Sequence, residues 1–112
     1  MKNLSVINGK IVGFENSIYI GRGGRGKKNS PLANPYKIGI HGDRAEVIEK
    51  YRYWLWVQIQ ENNQEVIGEL DRILRLVKDK DVQLSCFCKP LPCHGDIIVN
   101  CIRWMNNRIT PS

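Results

Sequence analysis

The sequence predicts a small α/β or α+β fold: a short sheet with an N-terminal β-hairpin, packed against about three helices. Three observations predict it. Two segments, Val47 to Ile59 and Val66 to Val77, repeat apolar residues at helical spacing. A third, Val82 to Cys88, alternates Val82, Leu84, Cys86 and Cys88 with Gln83, Ser85 and Phe87, the period of a strand. That strand leads through a proline-bounded loop into another helical pattern. The 112 residues suit a single domain, 1–112, with one real core.

Taken in order, Leu4 to Phe14 reads as the hairpin, because Asn8-Gly9 between Ser5-Val6-Ile7 and Lys10-Ile11-Val12 suits a two-residue type I′ turn. Ser17-Ile18-Tyr19-Ile20 is a third short strand. Gly21 to Gly42 follows as a long loop without helical or strand period, and a loop of that length in a small domain is usually functional or disordered. Asp43-Arg44-Ala45-Glu46 has the form of a capping box and opens a helix over about 44–61. Val47, Ile48, Tyr51, Trp54, Leu55, Gln58 and Ile59 form its core stripe, and Trp56 falls on the opposite side. Asn62-Asn63 starts a second helix, about 63–78, with Val66, Ile67, Leu70, Ile73, Leu74 and Val77 facing inward. After the Val82–Cys88 strand, Ile97, Ile98, Cys101, Ile102 and Met105 mark a third helix over about 94–107, with Cys101 in the core.

Composition describes an ordinary soluble chain, 42% hydrophobic and 25% charged. MKNLSVINGK lacks the apolar run of a signal peptide, and no apolar window is long enough to cross a bilayer. The expectation is therefore a cytoplasmic, membrane-free protein whose cysteines stay reduced. Most of the net charge of +6 is local: Arg22, Arg25, Lys27, Lys28, Lys37 and Arg44 face a single acid, Asp43, in their stretch. So concentrated a positive field suits phosphate or nucleic acid, against the plainer reading of a solvated basic loop.

Gly21 to Lys28 imitates two nucleotide-binding motifs, G-x-x-x-x-G-K and G-x-G-x-x-G. Both work by delivering phosphate to a helix that begins at once. Here Lys28 replaces the Mg²⁺-binding Ser or Thr, and Pro31 and Asn34-Pro35 prevent an immediate helix. What survives is a cationic, amide-rich loop following a strand and able to close over an anion.

The densest chemistry is Cys86-Phe87-Cys88-Lys89-Pro90-Leu91-Pro92-Cys93-His94-Gly95-Asp96. Clustered cysteines in a reduced compartment point to metal binding or catalysis. Cys86, Cys88, Cys93 and His94 supply a Cys₃His zinc set by count. Geometry resists the simplest version: Cys86 and Cys88 share a strand face with Cα atoms about 6.6 Å apart, and Cys93 and His94 at a helix start diverge by roughly 100°. The metal-free reading makes Cys93 a thiolate favoured by the helix N-terminus, His94 or His41 its base, and Asp96 an orienting carboxylate. The plainest reading packs Cys86 and Cys93 as small hydrophobes with His94 capping the helix.

Tyr19-Ile20-Gly21-Arg22, Ser30-Pro31-Leu32-Ala33-Asn34-Pro35-Tyr36, Glu46-Val47-Ile48 through Trp54-Leu55, and Cys86-Phe87-Cys88 with Cys93-His94-Gly95-Asp96 together resemble a family of small uncharacterised domains of phages, bacteria and archaea. The resemblance runs from about Tyr19 to about Val99 and brings no established activity. It implies that Arg22, Asn34, Pro35, Cys86, Cys88, Cys93, His94 and Asp96 belong to one site. The ends of the Ile18–Ile20 and Val82–Cys88 strands are then expected side by side, with the basic loop bordering the cysteines.

The functional expectation is a phage-associated protein that binds a nucleotide or nucleic-acid phosphate beside a Cys/His cluster holding zinc or a thiolate. Arg22, Arg25, Lys27, Asn34 and Lys37 are the phosphate candidates; Cys93, His94 and Asp96 are the catalytic ones; Cys86, Cys88, Cys93 and His94 are the zinc ligands. The rival is a non-catalytic nucleic-acid-binding module stapled by structural zinc. A homodimer using the Trp56 face ranks third.

Overall fold

A strand with one apolar face needs neighbours for its backbone and a cover for that face. Val82–Cys86 obtains both at the centre of a three-stranded sheet, in a computed structural model that describes residues 1–24, 26–89 and 91–109. The chain order is β1 (Leu4–Asn8), α1 (Gly9–Val12), β2 (Ile18–Tyr19), α2 (Arg44–Gln60), α3 (Gln64–Asp79), β3 (Val82–Cys86) and α4 (His94–Ile109). The sheet order is β1-β3-β2, and both pairings are parallel. The fold is thus mixed α/β, as the periodicities predict. Among the described residues, no helix is long and apolar enough to cross a membrane.

The register decides which residues share a face. Val6 and Ile18 both pair with Leu84, so these three point the same way, together with Leu4, Val82 and Cys86. That face joins the buried stripes of the helices: Tyr51 and Leu55 of α2, Leu70, Ile73, Leu74 and Val77 of α3, and Ile98 and Ile102 of α4. The capping box forms as expected: Asp43 Oδ1 accepts from the Glu46 amide at 2.9 Å, and Glu46 Oε1 accepts from the Asp43 amide at 3.1 Å. Asn63 caps α3 through its side chain. Trp56 is half exposed, on the side away from the core.

The predicted hairpin does not form. β1 runs parallel to β3 instead of turning back, and Asn8-Gly9 leads into the single helical turn α1. Asn8 explains the substitution of one structure for the other. Its side-chain oxygen accepts from the Lys10 amide at 2.9 Å, and its Nδ2 donates to the carbonyls of Phe87 and Lys89 at 3.2 and 2.8 Å. Gly9 is needed for space, since a Cβ there would stand 2.0 Å from the Phe14 ring. Alternation reveals a strand but carries no record of its partner.

The long loop is pinned at its middle. Ser30 to Ala33 forms a tight turn, with the Ala33 amide on the Ser30 carbonyl and the Leu32 amide on Ser30 Oγ. Leu32 is fully buried, and its carbonyl accepts from the Tyr51 hydroxyl at 2.6 Å. Burying one such leucine contributes about 1.5–3 kcal/mol, enough to hold the loop's flanks over the edge of the sheet. Among the described residues between Gly21 and Asp43 no helix begins, which removes both nucleotide motifs from contention.

Candidate functional site

Because all three strands are parallel, their carboxyl ends lie along one edge, and the segments leaving them meet there. Asn8, Tyr19 and Cys86 are the terminal strand residues. In open parallel sheets this edge is where ligands bind. A cleft of about 1080 Å³ opens there, bordered by the basic loop, the start of α2, the end of β3 and the start of α4. As expected, the ends of β2 and β3 lie side by side, and the basic loop borders the cysteines.

The floor is sulfur. Cys86 and Cys93 are 2% exposed, and their Sγ atoms lie 3.5 Å apart. Cys88 is half-buried and opens on the cleft. Hydrogen bonds from Cys86 and Cys93, with a smaller contribution from Arg44, hold the Cys88 thiol well below the ordinary range against the opposing cost of burial. Cys93 moves the other way, pushed far up by its bonds to Cys86 and Cys88 and by burial. The thiol that opens on the cleft is therefore Cys88, whereas Cys93 at the start of α4 is buried. All four cysteines are free.

His94 is 8% exposed, with its ring edge-on to Tyr51 at a centroid distance of 5.0 Å. Its Nε2 lies 2.7 Å from the Ile20 carbonyl. A carbonyl oxygen only accepts, so Nε2 carries the proton and Nδ1 the lone pair. Burial lowers the imidazole pKa despite that hydrogen bond, leaving His94 neutral at neutral pH. Gly95 brings α4 close to the sheet: a Cβ there would meet Val6 Cγ1 at 2.8 Å and Ile20 Cδ1 at 3.0 Å. Asp96 does not line the cleft. Its Oδ2 accepts from the Cys93 amide at 3.1 Å, and its Oδ1 pairs with Lys89 Nζ at 2.5 Å, so it secures the helix start.

The zinc set comes together only in part. Cys86 and Cys93 are in contact, and His94 Nε2 is committed to the Ile20 carbonyl. Among the described residues, no three His, Cys, Asp or Glu side chains are arranged to hold a metal ion.

Most phosphate candidates gather on one wall. Arg22 donates through Nη1 to the Asn34 carbonyl at 3.0 Å and to the Tyr36 carbonyl at 3.5 Å, so it bridges the two flanks of the loop. Lys27 and Lys37 line the cleft, and Lys27 Nζ sits 3.8 Å above the centroid of the Phe14 ring. Asn34 also lines it, although its Oδ1 is engaged by the Tyr36 amide at 2.9 Å. Gly24 and Lys27 close a small antiparallel bridge. Arg25 lies outside the described residues. Pro35 is exposed and borders a shallower depression, and His41 accepts the Lys37 amide through Nδ1 outside the cleft.

Residues 7–104 match the family described as domain of unknown function (DUF4326). The chain belongs to this family. No curated protein and no solved structure matches it. Membership agrees with the expected resemblance to a family of small uncharacterised domains.

Two features of the cleft escaped sequence reasoning. Phe14, Tyr19 and Phe87 pack edge to face, with centroids 5.4 to 5.9 Å apart, as an aromatic wall above the end of the sheet. Phe87 carried a signal, since the strand period already set it on the face opposite Cys86 and Cys88. Arg44 was counted only as charge; it donates to the Pro92 carbonyl at 3.0 Å, tying α2 to the cysteine loop. Only its position in the first turn of α2, beside the capping box, hinted that it would stand at the cleft.

Proposed function

We propose that this cleft binds a nucleotide or a nucleic-acid phosphate, with the anion on Arg22, Lys27 and Lys37 and the Cys88 thiolate beside it. The observation that carries the reading is the charge of the lining. Lys10, Arg22, Lys27, Lys37 and Arg44 border the cleft, and no described residue bordering it is acidic. Cations confined by low-dielectric walls concentrate anions. Arg22 is held in place through one nitrogen and keeps other donors for a phosphate.

The aromatic wall supports the organic half of the ligand. Phe14, Tyr19 and Phe87 offer ring faces and edges against which a base can stack. An inorganic anion alone would make no use of them.

The test is calorimetry with mononucleotides, inorganic phosphate and short oligonucleotides at low and physiological salt. A mononucleotide is expected to saturate one site per chain, and Arg22→Ala or Lys27→Ala to weaken it about tenfold. Oligonucleotide binding alone, falling steeply with salt, would replace this reading with the nonspecific nucleic-acid module. Binding of neither ligand sinks both. Elemental analysis of the untagged protein runs alongside: one zinc per chain would assign Cys86, Cys88 and Cys93 to a metal instead of to thiol chemistry.

A further inference from the structure

Resting on the nucleotide reading above, we infer that the ligand of this cleft is a nucleoside di- or triphosphate, bound as the free anion without a divalent cation. Lys10, which no motif singles out, grips its outer phosphates.

The cleft holds a surplus of positive charge. Five cations, Lys10, Arg22, Lys27, Lys37 and Arg44, border it. Elsewhere acids stand beside cations: Glu49 pairs with Arg52, Glu69 with Arg72, Asp71 with Arg75 and Asp96 with Lys89. Among the described residues, none of these ion pairs includes a residue bordering the cleft. Asp43 and Asp96, close in sequence to the lining residues Arg44 and His94, are engaged at the starts of α2 and α4. Glu15, beside Phe14 in sequence, is exposed and does not border the cleft. Like charges gathered in one concavity repel one another and attract anions. A phosphomonoester brings only about −1.5 to −2, which leaves most of that surplus standing. Each further phosphate of a chain removes more of it.

The placement of two lysines points the same way. Lys27 Nζ sits 3.8 Å from the centroid of the Phe14 ring, and Lys10 Nζ sits 5.2 Å from that of Phe87. Those rings pack against each other with centroids 5.4 Å apart. Attraction to the ring quadrupoles holds both ammoniums at the wall. The Lys10 backbone is also fixed, since its amide donates to Asn8 Oδ1 at 2.9 Å. Ammoniums set on adjoining rings serve successive phosphates of one chain: Lys27 takes the first with Arg22, and Lys10 takes those beyond.

The lining also argues against a bound Mg²⁺. That ion takes oxygen ligands, usually one or two carboxylates beside the phosphates. No described residue bordering the cleft supplies a carboxylate, and the cations there repel a divalent ion. Ammonium and guanidinium donors neutralise the phosphate chain in its place.

Calorimetry on the full chain with the mono-, di- and triphosphates of adenosine and guanosine tests this, first with chelator and then with excess Mg²⁺. At low salt, affinity should rise about three- to tenfold with each added phosphate, and excess Mg²⁺ should weaken the triphosphate at least about threefold. Lys10→Ala should shrink the triphosphate-to-monophosphate affinity ratio about fivefold, and Lys10→Arg should restore it. Circular dichroism of both variants separates lost binding from lost fold. Equal affinity across the phosphate series, or tighter binding with Mg²⁺, overturns the inference and leaves the nucleotide reading standing. An unchanged ratio in Lys10→Ala overturns the role of Lys10. Inorganic tripolyphosphate binding as tightly as the nucleotides overturns the nucleoside half. Failure of every nucleotide to bind overturns this inference and the nucleotide reading together.

Discussion

Cys88 and Cys101 are both partly buried cysteines a short distance apart in sequence, yet their surroundings drive them in opposite directions. Cys101 lies on the apolar stripe of α4, where burial alone pushes its thiol up to about 11. Cys88 lies at the cleft, where two thiols and an arginine bond to it and hold it well below the ordinary range. Burial acts against the charged form at both places. What differs is the supply of donors, so the character of a cysteine here follows from its neighbours more than from its depth.

The largest way to break that comparison is alkylation of the native protein. Cys88 should react with iodoacetamide at pH 7 about a hundredfold faster than Cys101, as read by mass spectrometry of tryptic peptides. Equal rates would mean that the hydrogen bonds from Cys86 and Cys93 do not hold a thiolate in solution. A smaller effect sharpens the contribution of Arg44. Arg44→Gln should slow Cys88 alkylation by about three- to tenfold while leaving Cys101 unchanged, since it removes one donor and a positive charge at close range. Loss of the Pro92 contact should cost about 1 kcal/mol of stability, measured by urea unfolding.

The smallest effect concerns His94. Burial lowers its folded-state pKa below the 6.5 of an unfolded histidine. Between those two values the unfolded chain binds more protons, so stability rises with pH there and falls on acidification below about 6.5. The melting temperature should therefore decline by a few degrees or less from pH 7 toward pH 5.5. His94→Gln should remove that part of the slope. An unchanged slope would place the titration elsewhere.

The helices were legible because each carries its information locally. The Asp43–Glu46 capping box, the Asn63 cap and the stripes ending in Ile59, Val77 and Met105 involve residues within a turn or two of one another. The expected ends agree with the observed ones within a residue or two. β3 was legible for the same reason, except that its ladder stops at Cys86 and frees Phe87 and Cys88 for the cleft. Asn8-Gly9 misled because the pair serves two purposes, and its choice of a cap over a hairpin turn depends on Phe14, Phe87 and Lys89.

Sequence alone determined where the three long helices and the Val82–Cys86 strand would form, because capping and periodicity are properties of the chain itself. Tertiary structure decided that β1 pairs with β3 in parallel, that Asp96 serves the helix start, and that Cys88 opens on the cleft while Cys93 is buried. Each of those outcomes turns on partners distant along the chain or across a loop. Hydrogen bonds and Coulomb interactions depend on distances in space, and only the folded chain sets them.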